Sequence, residues 1–293
     1  MHHYKPFRTL FCCTALLLSS VLAHSQTKLE LQHIVEKLEK VYATDQLTRK
    51  ELNEAQRTHG YGSSEFKEKL SLMNTQDSIN RGIALNILDT FGWLDQSVLS
   101  PDANKAFFYT IQHADFQTQV KYKPFIEDAF RRGQISSHEY AIFQDRLNVR
   151  LGKNQLFGSQ TAVDNIGNSY LYPVDHIDSI HRRRAEIGLQ QLDLQLKESN
   201  IKYSFPITDN SEYDITLIGH FWNISNTAVS GISIWHGDHL IGESDSNGFL
   251  FTRYSFLGKE EITLTFRQSD KTVGQQQLKK GKDFYELYIQ VKQ

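Results

Sequence analysis

The sequence predicts an α-helical domain that carries a small β-hairpin, followed by a small β-sandwich. Two observations set the order. Apolar residues recur every three or four positions from Thr27 to about Asn200, and every two positions after Tyr203. A third observation places the hairpin: between Gln155 and Pro173, short β-prone runs flank the turn-forming segment Asp164-Asn165-Ile166-Gly167-Asn168. The length of 293 residues allows one or two domains, each with its own core. The expected divisions are a leader over residues 1–25, a helical domain over 26–204 and a sandwich over 205–293. Pro206 and the polar stretch Thr208 to Glu212 form the linker.

The leader is read as a secretory signal. Lys5 and Arg8 precede an apolar run from Leu10 to Ala23, and Ala23-His24-Ser25 offers small residues for cleavage before Gln26. The run is short for a membrane span, so an exported protein, periplasmic or extracellular, is expected, with no stable span after cleavage. Both cysteines, Cys12 and Cys13, fall in that run. The mature chain then has no disulfide, thiol nucleophile or thiolate metal site. A net charge of −2 gives no footprint for nucleic acid.

In the helical half, Leu31, Ile34, Leu38, Val41 and Tyr42 form one amphipathic face. Ile79, Ile83, Ile87 and Phe91 form another, with Asp77 as a candidate cap and Gly92 as a stop. Ser100-Pro101-Asp102 opens a helix that runs to His113. Ser136 or Ser137 with Glu139 opens one that Gly152 closes. A last helix is expected from Asp178 to Ser199. In the second half, strands are read at Asp214–Gly219, Gly231–Trp235, Glu261–Phe266 and Phe284–Val291, separated by Gly/Asn/Asp turns.

Polar residues interrupt the helical pattern. Asp145 and Arg146 flank one of two apolar stripes on their helix, so they belong at or near a buried surface. Arg182, Arg183 and Arg184 fan across about 200° at 100° per residue. At least one guanidinium points inward and needs a carboxylate, with Asp145, Asp115 and Asp175 as candidates. Two readings stay open. The cluster ties helices together as structural ion pairs, or it forms a pocket in which His113 and an aspartate do acid/base work while an arginine holds an anionic group. No H-E-x-x-H pattern and no cysteine support a metal, and no cofactor is expected. In the β half, His220, Trp222, Trp235, His236 and His239 either fill a sandwich edge or form a sugar-binding surface.

These residues resemble a known family. Gly92-Trp93, Gln112-His113-Ala114-Asp115, Tyr140 to Asp145-Arg146, Gln155 to Gln160 and Arg182 to Leu189 are similar, in order and spacing, to the domain of unknown function 6624. The similarity covers about residues 75–195. It implies that His113, Asp115, Asp145, Arg146, Gln155, Gln160 and Arg183 belong to the family pattern, and it implies no activity. Leu94 stands where members tend to have a proline. The C-terminal part resembles a carboxypeptidase-regulatory-like, transthyretin-type sandwich through Gly219, Gly231 to Ile234 and Asp245 to Phe249. That pairing is similar to exported proteins of Bacteroidota-type bacteria.

The expected function is a binding or scaffold role whose polar cluster takes a small anionic ligand or a cell-envelope component through Arg146, Gln155, Gln160 and Arg183. The alternative is a hydrolase-like enzyme in which His113 works with Asp115 or Asp145 as acid/base and an arginine stabilises charge.

Overall fold

The computed structural model describes residues 9–206 and 213–292, with side chains from Lys28 onward. Lys5, Arg8 and the linker Thr208 to Glu212 lie outside the described residues. Of the run Leu10 to Ala23, only the backbone is described. Helices come first and strands follow, as the change of period predicts. The chain forms two compact units, one ending at Ile135 and the other beginning at Ser136. This division by packing falls earlier than the change of period near residue 205, because a run of helices groups with the strands.

The first unit contains four helices: α1 (Thr9–His59), α2 (Ser64–Phe91), α3 (Pro101–His113) and α4 (Phe116–Arg131). Helix α2 begins well before Asp77. Ser63 caps it by accepting the Phe66 N–H at 3.1 Å, and Asp77 lies inside the helix. Gly92, at φ 70°, ends it where the sequence predicts. Pro101 occupies the first turn of α3 behind the Ser100 cap. The core holds Leu38 and Val41 of α1, Ala84 and Leu88 of α2, and Phe107, Phe108 and Ile111 of α3. No helix among the described residues is long and apolar enough to cross a membrane.

The second unit opens with α5 (Ser137–Arg150), started by a Ser136–Glu139 capping box. The hairpin follows as β1 (Thr161–Val163) and β2 (Ser169–Leu171), paired antiparallel. The single helix expected over Asp178–Ser199 is instead a 3₁₀ turn (Ile177–Ser179), α6 (Ile180–Glu186) and α7 (Leu192–Glu198). Gly188, at φ 71°, makes the break: its N–H reaches the Ala185 carbonyl, and the Leu189 N–H reaches that of Arg184.

Strands β3 (Ile215–Asn223), β6 (Phe249–Tyr254) and β9 (Phe284–Val291) form one sheet, ordered β6-β3-β9. Strands β4 (Ile232–His236), β5 (His239–Glu243), β7 (Glu261–Gln268) and β8 (Lys271–Lys279) form the other, ordered β5-β4-β7-β8. Leu217, Phe221 and Leu287 from the first sheet share a core with Ile232, Ile234, Leu264 and Phe266 from the second. The two sheets are therefore a sandwich. The opposite face of β3 is covered as well. Ile218 packs with Tyr170 of the hairpin, Phe249 and Phe284, so β3 is buried on both sides for most of its length.

Candidate functional site

The polar residues singled out from the sequence assemble into two networks, one in each unit. In the first, His113 ends α3 and its Nδ1 lies 2.9 Å from Oδ1 of Asp45. The partner of His113 is therefore neither Asp115 nor Asp145 but a buried aspartate of α1. Gln46 donates to Asp45 Oδ2 at 2.9 Å, and Arg49, one helical turn along, donates from Nε and Nη2. Arg49 Nη2 also reaches both carboxylate oxygens of Asp77 at 2.9 Å, which ties α1 to α2. Burial alone would raise the Asp45 carboxyl. The contacts with His113 and Arg49 outweigh it and hold Asp45 below the usual carboxylate range.

His113 keeps part of its ring open and lines a small cavity with Asp45, Asp77, Asn80, Arg81 and Thr110. Asn80 Oδ1 accepts from Thr44 and Gln76, which fixes the amide. Its buried Nδ2 has no partner among the described residues. Asp115, two residues after His113, caps α4 by accepting the Thr118 N–H at 2.9 Å, and it meets Arg81 at 3.3 Å. Its side chain is mostly exposed. The break between α3 and α4 separates the roles of these two residues.

In the second unit, Asp145 of α5 is fully buried. It accepts the backbone N–H groups of Leu156, Phe157 and Ser159 at 2.7, 3.0 and 2.9 Å. The same loop gives its carbonyls to arginines. Arg183 Nε reaches the Leu156 oxygen at 3.0 Å, and Arg184 Nη1 reaches that of Phe157. Gln155 closes the loop, accepting the Gln160 N–H at 2.7 Å and donating to the Gln160 and Tyr172 carbonyls. Gln160 donates to the Ser159 hydroxyl at 3.0 Å. Arg146 follows Asp145 on α5 and is half-buried.

One arginine does point inward. It is Arg184, 2% exposed, but neither it nor Arg183 contacts a carboxylate oxygen among the described residues. Arg184 spends its remaining contacts on the Gln190 carbonyl and the Gln195 side chain. Arg183 donates to the Ser179 hydroxyl and to the backbone oxygens of His176 and Asp175. The expectation of a direct carboxylate partner is thus corrected: peptide groups stand between Asp145 and both guanidiniums. Burial lowers the pKa of both arginines, and the charge of Asp145 opposes that shift. Burial pushes the Asp145 carboxyl up, while the three N–H donors pull against it.

Residues 32–206, more than half of the chain, match a family of unknown function (DUF6624). The chain belongs to the DUF6624 family. No curated protein and no solved structure matches it. The DUF6624 match includes Asp45 and Arg49, which lie outside the 75–195 stretch whose motifs are recognisable by eye. Those two residues are what reasoning from the sequence missed; Asp77 was legible only as a helix cap, and Arg184 only as one of three arginines of which at least one points inward. Asp45 lies 68 positions from His113, and only the packing of α1 on α3 joins them.

Two other placements bear on function. His220 is buried below the hairpin, its Nδ1 3.1 Å from Asp164 of the β1–β2 turn, so it offers no sugar-binding surface. An open cleft of about 720 Å³ in the second unit is lined by Asp175, Asp178, Asp214 and Asp283 against Arg253 and His176, a balance that opposes an anion. Among the described residues, no group of three or more His, Cys, Asp or Glu is placed to hold a metal.

Proposed function

We propose that the chain is an exported binding or scaffold protein, in which the buried polar cluster of the DUF6624 domain fixes the fold. One observation carries this reading. Asp145, Gln155 and Arg183 direct their polar atoms at backbone groups of loop 155–160 and its neighbours, so few donors remain for a ligand. Asp145→Asn tests it. The new amide turns an N–H group towards the N–H of Ser159 or Phe157, and an orphaned buried donor costs roughly 1–3 kcal/mol. Urea unfolding will show that loss. An unchanged midpoint would contradict the structural role. Arg183 uses its donors on protein oxygens, so this reading looks for the partner elsewhere on the surface, with a cell-envelope component as the class in view.

Export is supported by Lys5, Arg8 and the apolar run to Ala23. A carboxypeptidase-regulatory-like, transthyretin-type identity for the sandwich is supported by the turn before β6. Asp245 accepts the N–H groups of Asn247 and Phe249, and Gly248 adopts φ 62°.

A second reading rests on a different observation: the partly open His113 ring bonded to a buried, arginine-anchored carboxylate. In a hydrolase-like enzyme His113 would be the acid/base, Asp45 its orienting partner and Arg81 the nearby cation. His113→Ala separates the readings. A structural histidine costs about 1–3 kcal/mol of stability. Because His113 also holds buried Asp45, that loss is expected in either reading; turnover of chromogenic ester and phosphoester substrates by the wild-type chain, abolished in the folded variant, marks the catalytic role.

A further inference from the structure

Among the described residues, one face of the α1–α2 pair of the first unit is uncovered. The stripe read on α2 as Ile79, Ile83, Ile87 and Phe91 is only partly used: Ile87 is buried, whereas Ile79 and Ile83 stay 51% and 37% exposed. Both line an open groove of about 600 Å³ with Val41 of α1, and Lys37 and Lys40 also border it. Leu72, seven residues before Ile79, and Leu47, seven after Lys40, are about half exposed and continue the strip at heptad spacing. From Leu72 to Ile83 it runs about 16 Å, roughly three helical turns.

Gly82 adds a second observation. It lies inside α2, where glycine is a poor helix former, and it has no left-handed backbone angle that would call for glycine. A Cβ there would meet nothing within 4 Å. Packing within the unit does not explain the glycine, whereas close approach of another chain does. The third observation is charge. Lys37 and Lys40 are exposed and make no ion pair among the described residues. Of the glutamates beside them, Glu39 accepts from Ser100 and Glu36 faces His33.

We propose that this groove docks an acidic amphipathic helix of a partner protein. Aliphatic side chains of the partner lie against Ile79 and Ile83, and its carboxylates meet Lys37 and Lys40. The inference rests on the binding reading above and names the partner class. A long, shallow strip suits a helix better than a compact ligand.

The test titrates the full chain with a fluorescein-labelled synthetic helix that carries leucines at heptad positions flanked by glutamates. Its twin has lysine for every glutamate. The acidic peptide is expected to bind at least ten-fold tighter than the twin. That affinity should fall ten-fold or more in Gly82→Trp, which fills the groove, and in the double variant Lys37→Glu/Lys40→Glu. Circular dichroism confirms folding, and the double variant changes exposed side chains only, so it still decides the matter if tryptophan disturbs α2. Equal binding of the two peptides, or unchanged affinity in both variants, overturns the proposal. So does binding of dodecanoate in the groove without peptide binding, or a wild-type dimer that Gly82→Trp makes monomeric. The stability of Asp145→Asn is independent of all these results, so the groove and the binding reading can fail separately.

Discussion

Asp45 shows how one carboxylate can couple fold stability to pH. Its folded-state pKa is lowered because His113 and Arg49 favour the charged form more than burial disfavours it. A depressed carboxyl contributes stability that is fully present above the unfolded value, near 3.9, and is lost as pH falls through the folded value. Wild-type protein should therefore lose this contribution below about pH 4. Asp45→Asn should flatten that acid limb while lowering the plateau at neutral pH. Urea midpoints of both proteins between about pH 2 and pH 7 check this. Parallel curves would mean that Asp45 titrates as in the unfolded chain. None of this pairing was legible in the sequence. His113 could be singled out as a polar residue at a helix end, but its partner comes from a helix far away in the chain. The near neighbour Asp115 was the natural choice, and the start of α4 took it as a cap instead.

Helix ends were far more legible than helix partners, because caps are local. Ser136 with Glu139, and Ser100 with Pro101, mark the starts of α5 and α3 within a residue. Helix α4 was not read. Pro124 stands in mid-helix, and its buried stripe of Gln119, Tyr122, Ile126 and Ala129 includes a polar residue. Strand β8 was not read because Leu278 is its only buried residue. The break at Gly188 was missed because apolar residues keep helical spacing across it, so rhythm alone could not show it. Glycine tests this directly. At Gly188 the space is open but φ is 71°, so alanine should cost about 1 kcal/mol. At Gly82 the space is open and the backbone is helical, so alanine should stabilise by about 0.8–1 kcal/mol. Opposite shifts in melting temperature for the two single variants are the expected result. Shifts of the same sign would mean that one of these backbone assignments is wrong.

At the scale of the whole chain, period and packing divide the sequence at different places, and fragments can tell which division folds. The change of period near residue 205 suggests that the strands are self-sufficient. The outer face of β3 argues otherwise. Ile218, Phe249 and Phe284 are covered by Tyr170 of the hairpin, and the Tyr170 hydroxyl donates to Glu286 of β9. Asp164 of the hairpin holds buried His220, and Tyr203 donates to Asp245. Cutting at 205 removes these covers, leaves buried His220 without Asp164, and leaves Glu286 with the Tyr288 hydroxyl but without those of Tyr170 and Tyr172. It also opens an aromatic face of the kind that drives association. A fragment of residues 136–293 keeps every one of these contacts, together with the separate core of Leu171, Val174, Ile177, Ile180 and Leu192. It should unfold in one cooperative transition, whereas residues 205–293 alone should bind a hydrophobic dye and melt lower by 10 °C or more, a shift that corresponds to about 2 kcal/mol or more in a domain of this size. Equal melting of the two fragments would show that the hairpin covers a face that does not need it, and the division at 205 would then be the physical one.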